Sequence, residues 1–140
     1  MKKRVLFLCT HNSCRSQMAE ALINHDLGDR FDAYSAGTEK TRVKPLAAKV
    51  LEELGIDTAP LYSKTLDSFK DETFDFVITL CGDANEKCPL FFGGVKRTHI
   101  GFDDPSRLPG SDAEVLPEYR RVRDELREHL SAFLTGDSHE

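Results

Sequence analysis

Val5-Leu6-Phe7-Leu8-Cys9-Thr10-His11-Asn12-Ser13-Cys14-Arg15-Ser16 is the stretch that decides the fold. An apolar run ends in a cysteine, a short polar loop follows, and Arg15-Ser16 opens a helical pattern. That order is strand, loop, helix N-terminus, with Cys9 and Arg15 six positions apart. A loop curled over a helix start aims several backbone N–H groups at one spot, and the helix dipole adds partial positive charge there. Such a cradle, residues 10–15 with Thr10, His11, Asn12, Ser13 and Cys14, suits a tetrahedral oxyanion. It also favours the thiolate form of a cysteine at its base, which makes Cys9 a candidate nucleophile. Arg15 supplies a planar, permanently charged fork for two of the anion's oxygens. A bare C-x5-R is weak evidence; its alternative is a buried Cys9 ending a strand and an Arg15 on a helix surface. The flanking strand and helix patterns favour the site.

Outward from this loop, strand one covers Arg4–Cys9 and helix one Ser16–Leu27, with Met18, Ala21, Leu22 and Ile23 apolar and Gly28 as the stop. Ala33–Gly37 reads as a second strand. Pro45 starts a helix carrying Leu46, Val50, Leu51 and Leu54, closed by Gly55. Leu66–Lys70 is a candidate short helix. Phe74–Leu80 is a near-continuous apolar run, typical of a parallel strand covered on both faces. Val95–Ile100 is the fourth strand. Phe102–Pro117 reads as loop and Glu118–Leu134 as a closing helix with Val122, Leu126, Leu130 and Phe133 on one face. Its Arg120, Arg121, Arg123 and Arg127 read as a solvated face. Strands alternating with helices predict an α/β fold, a parallel sheet with sites at the carboxyl ends of its strands.

The 140 residues suffice for one domain, spanning 1–140, with a full core. A net charge of −5 and scattered basic residues argue against nucleic-acid or membrane-surface binding. No apolar run approaches the roughly 20 residues of a membrane span, and Val5–Leu8 is too short for a signal peptide. A cytoplasmic protein is expected, and its four cysteines should then be free thiols. Positions 9, 14, 81 and 88 contain no C-x2-C, so no zinc and no other bound cofactor is expected.

Two further segments carry chemistry. In Phe102-Asp103-Asp104-Pro105-Ser106, a carboxyl near the anion could donate a proton to a departing oxygen, although Asp-Pro alone is an ordinary turn signal. In Cys81-Gly82-Asp83-Ala84-Asn85-Glu86-Lys87-Cys88-Pro89, two cysteines seven positions apart on a regular helix would stand about 10.5 Å apart. A disulfide needs about 7 Å or less, so Cys81 and Cys88 can join only if the segment is loose or unwinds. Gly82 weakens helix there, and Pro89 biases Cys88 away from it. The alternative is two unrelated small hydrophobes. Cys14 reads mainly as a packing residue.

Taken together, Cys9-Thr-His-Asn-Ser-Cys-Arg15-Ser-Gln-Met-Ala-Glu20, Ser35-Ala-Gly37, Thr79-Leu-Cys81-Gly-Asp, Cys88-Pro and Gly101-Phe-Asp-Asp104-Pro105 resemble the thioredoxin-coupled arsenate reductases, which share the low-molecular-weight tyrosine phosphatase fold. The resemblance runs in order from about Arg4 to Leu134. It implies a four-stranded parallel sheet flanked by helices on both faces, a three-layer sandwich. It implies that Cys9 attacks arsenate held by the loop amides and Arg15 while Asp104 assists departure of water. Cys81 then attacks Cys9, releasing arsenite, and Cys88 attacks Cys81. Thioredoxin, or alternatively a glutaredoxin, reduces the last disulfide of a monomeric enzyme. Ser16 would hydrogen-bond the Cys9 thiolate and Asn12 would hold the loop's shape.

Two departures stand out. His11 occupies a position where many members carry Gly. Members that bind potassium beside the loop use equivalents of Asn12, Glu20 and Ser35 plus an acidic residue, and Lys64 stands at that last position here. The Lys64 ammonium is therefore expected near Glu20 and Asn12, in place of the ion. Two other functions use the same residues. One is a tyrosine phosphatase with Cys9, Arg15 and Asp104, which needs no Cys81–Cys88 pair. The other is a non-enzymatic oxyanion and redox switch.

Overall fold

A computed structural model describes residues 2–9, 12, 14–37, 41–69, 72–80 and 97–136. Thr10, His11, Ser13, Cys81 and Cys88 lie outside these residues, as does the segment 82–87 between the last two cysteines. Strand β1 (Lys3–Leu8) leads through the loop to helix α1 (Arg15–Asp26), then β2 (Phe31–Ala36) and α2 (Pro45–Glu52). A 3-10 helix (Leu66–Phe69), β3 (Phe76–Thr79), β4 (Arg97–His99), a second 3-10 turn (Pro105–Arg107) and α3 (Asp112–Thr135) follow. The sheet order is β2-β1-β3-β4, and every pairing is parallel.

Alternation along each strand divides the core in two. Val5, Phe7, Ala33 and Ile78 face a layer in which α1, α2 and α3 pack on one another. Leu6, Leu8, Ala36 and Val77 face the other way, against Phe69 and Phe74. Val5 through Leu8 are fully buried, as an interior parallel strand requires. The architecture is thus an α/β sandwich of three layers. Among the described residues the second face is covered by the 3-10 helix and an edge-to-face cluster of Tyr34, Phe69 and Phe74, not by an α-helix. Arg4 lays its guanidinium over two of these rings, 4.9 Å from Tyr34 and 4.7 Å from Phe74. No helix among the described residues is long and apolar enough to cross a membrane.

Helix ends follow local chemistry. Pro45 sits in the first turn of α2, and Gly55, at φ +81°, closes its end. The Ile56 N–H returns to the Leu51 carbonyl and that of Gly55 to Glu52, the Schellman pattern. Gly28 works differently from the expected stop. Its φ is not positive, and a Cβ there would stand 2.2 Å from the Asn24 carbonyl oxygen, so close approach of backbone is what requires glycine.

Two expectations fail in the last segment. The closing helix begins at Asp112, six residues before Glu118, because Ser111 and Glu114 form a reciprocal capping box. Pro117, taken for the end of a loop, lies inside that helix. The arginines are not simply a solvated face. Arg123 is buried and donates to the Val50 carbonyl and Glu53, Arg120 pairs with Glu53, and Arg127 forks onto Asp26 at 2.7 and 3.0 Å. They clasp α3 to α2 and α1.

Candidate active site

Cys9 is the first residue beyond β1, and its N–H bonds the Ala36 carbonyl at the end of β2. The turn of chain after it brings Asn12 into a left-handed conformation, φ +49°, which Asn tolerates better than most side chains. Asn12, Ser16 and Gln17 are all completely buried. The Asn12 amide Nδ2 donates to Ser16 Oγ at 2.8 Å, and Ser16 Oγ lies 2.8 Å from Cys9 Sγ. Because Nδ2 can only donate, Ser16 Oγ accepts there and its own hydrogen is left for the sulfur. The chain of polar groups thus ends on Cys9, and the Ser16 hydroxyl is free to donate to its sulfur.

Helix α1 starts without a capping side chain and without an acidic residue in its first turn, so the helix itself supplies no charge against its positive dipole end. Arg15 is buried at that end. Its Nη1 donates to the carbonyls of Leu80 and Phe102, both at 3.2 Å, and its Nη2 lies 3.4 Å from Asp104 Oδ2. Those carbonyls belong to the chain just past β3 and β4. The guanidinium is therefore held over the carboxyl ends of the sheet, where sites in such folds are found. Asp104 is oriented from its other oxygen: Oδ1 accepts from the Ser106 N–H at 3.0 Å and from its hydroxyl at 2.6 Å.

Cys14 is also buried, and its thiol is pushed well above the usual range, first by burial and then by Asp104 and Cys9 nearby. It stays protonated, in keeping with a packing role. Tyr119 of α3 packs in the same core and is raised too, by burial first, then by Cys14, Asp104 and Asp112.

Behind the loop, Ser35 donates to Glu20 Oε1 at 2.7 Å and the Lys64 ammonium lies 3.4 Å from the same oxygen. The ammonium also donates to the Tyr62 carbonyl at 2.8 Å and faces the Tyr62 ring at 4.3 Å. One detail differs from expectation: the hydrogen bond that Lys64 gives Asn12 Oδ1, 2.6 Å, comes from its backbone N–H, not from the ammonium.

The structure thus brings Cys9, Asn12, Ser16, Arg15 and Asp104 to one rim, with Glu20, Ser35 and Lys64 behind it. β1 and β3 are adjacent and parallel, with Leu8 opposite Thr79. Four contributors escaped the sequence reading: Gln17, Ser106 and the carbonyls of Leu80 and Phe102. Ser106 carried a signal, since Asp-Pro-Ser places a hydroxyl two residues after a carboxylate. The carbonyls carried none.

Comparison with known proteins places the chain among others of its fold. The chain is 47% identical over 137 residues to an arsenate reductase of Bacillus licheniformis, covering 97% of this chain and 99% of that protein. A solved arsenate reductase in a phosphate-binding state superposes with a TM-score of 0.76 at 32% identity, over 99% of this chain and 100% of that one. A thioredoxin-dependent arsenate reductase from Corynebacterium glutamicum matches with a TM-score of 0.63 at 28% identity, over 96% of this chain and 63% of the other. The profile of the low molecular weight phosphotyrosine protein phosphatase family matches residues 4–139, and the chain belongs to that family.

Proposed function

We propose that this protein reduces arsenate to arsenite by a three-cysteine relay. The observation that carries the reading is the Ser16 hydroxyl bonded to Cys9 Sγ at the same strand ends where Arg15 meets Asp104. The arsenate reductases to which the chain is similar over nearly its full length support the substrate.

Arsenate binds against the α1 N-terminus and Arg15, and the Cys9 thiolate attacks arsenic. One arsenate oxygen takes protons and leaves as water, with Asp104 as the donor. Cys81 then attacks the Cys9 sulfur. The S–As bond breaks and its electron pair stays on arsenic, which departs as arsenite while Cys9–Cys81 forms. Cys88 attacks Cys81, giving a Cys81–Cys88 disulfide and a free Cys9. Two electrons from thioredoxin, or alternatively a glutaredoxin, restore the thiols. All relay residues lie in one chain, so a monomer suffices. Lys64 supplies the positive charge beside Glu20 that potassium supplies in related enzymes.

Multiple-turnover arsenate reduction coupled to thioredoxin, thioredoxin reductase and NADPH tests the relay. Wild type should sustain NADPH consumption and Cys88→Ser should stop after about one turnover. Equal rates would remove Cys88 from the mechanism, and no arsenate-dependent turnover in either would favour the phosphatase reading.

A further inference from the structure

We infer that Gln17 is a positioning residue that fixes which way the Asn12 amide faces, and through Asn12 and Ser16 sets the reactivity of Cys9. The inference rests on Cys9 being the nucleophile and adds a residue to which no role has been given.

Gln17 is completely buried on the first turn of α1. Its Nε2 donates to the Asn12 carbonyl at 2.9 Å, to Asn12 Oδ1 at 3.0 Å and to the Tyr62 carbonyl at 2.8 Å. Its Oε1 is buried with no hydrogen-bond partner among the described residues. Rotating the amide would place Oε1 against three oxygens, none of which can donate, so the observed orientation is the only workable one. A buried carbonyl without a partner is unfavourable. What the arrangement gains is control over Asn12.

An asparagine amide can turn over and exchange its oxygen and nitrogen. Here Oδ1 is held by two donors, Gln17 Nε2 and the Lys64 N–H, which leaves Nδ2 facing Ser16 Oγ. With Nδ2 donating, the Ser16 hydrogen is free to point to Cys9. If Asn12 turned over, Oδ1 would face Ser16, the hydroxyl would donate to Asn12, and Cys9 would lose its donor. Gln17 also grips the Asn12 backbone, so it steadies the left-handed turn and the amide together.

Alkylation of Cys9 by iodoacetamide, located by peptide fragmentation and followed across pH, reads this directly without arsenate. Gln17→Met keeps length and volume but removes both donors. Its Cys9 should alkylate about tenfold more slowly than wild type at neutral pH, the effect of one hydrogen bond to a charged group. The rate should recover to the wild-type plateau in alkali, which a merely disordered loop would not allow. Gln17→Glu, with an oxygen in place of the amino group, should be slower still at neutral pH. Asn12→Gly keeps the positive φ and the backbone carbonyl but deletes the amide; in that background Gln17→Met should add clearly less slowing than it does alone. Equal profiles for wild type and Gln17→Met, or full additivity with Asn12→Gly, would overturn the inference and leave the nucleophile reading intact. A wild-type Cys9 no more reactive than a thiol in the unfolded chain would overturn both.

Discussion

Lys64 serves the loop with two different groups. Its N–H grips Asn12, while its ammonium lies among Glu20, the Tyr62 carbonyl and the Tyr62 ring. The side chain is buried and the Glu20 side chain nearly so, so the charge on each is tolerated because the other is present. Replacing Lys64 with Met leaves Glu20 uncompensated but keeps the N–H. Activity of wild type should be the same in sodium and potassium salts. Lys64→Met should be weaker in sodium and partly restored by potassium, measured as arsenate turnover at constant ionic strength. A strong potassium requirement in wild type would show that the ammonium does not fill the cation's place. As candidates, Cys9, Arg15 and Asp104 were legible from side-chain chemistry and pattern, whereas Ser16 and Lys64 were legible only through the resemblance to the family. Gln17 was not, because glutamine early in a helix is usually a surface residue, and only the path of the chain at Tyr62 reveals its burial.

At the scale of elements, α3 was misread at its start because Pro117 and the Asp-Pro-Ser-Gly composition looked like loop, and composition outweighed the Ser111-x-x-Glu114 signature. A proline removes one helical hydrogen bond, but the capping box, an apolar stripe and the ion pairs to α1 and α2 outweigh that loss. Ser111→Ala should lower stability by about 1 kcal/mol in urea unfolding, without altering Cys9 alkylation. Gly28→Ala should lower it by about 2 kcal/mol or more, since its Cβ meets backbone that must move. If Gly28→Ala proves neutral, the turn after α1 has room that its geometry denies. The parallel sheet, by contrast, was readable from β1 and β3 because interior strands bury both faces and lose alternation.

Across the whole molecule, α3 is the clasp. Burial acts against the Asp26 carboxylate, yet hydrogen bonds from Arg127 and then His25 prevail and hold it below the ordinary range. A group whose folded value is depressed stabilises the protein above its unfolded value, and that contribution is lost as pH falls through the folded one. Arg127→Met should therefore be less stable than wild type at neutral pH, with the difference closing progressively below about pH 4. Urea midpoints across pH measure this, and a gap that persists where Asp26 is protonated would place the effect in packing instead. The Arg15 fork has a consequence on another timescale. Its partners lie 65, 87 and 89 residues further along the chain. A ribosome must therefore release the chain through Asp104 before the Arg15 fork can form in full, so the guanidinium is among the last groups of the site to be fixed during synthesis.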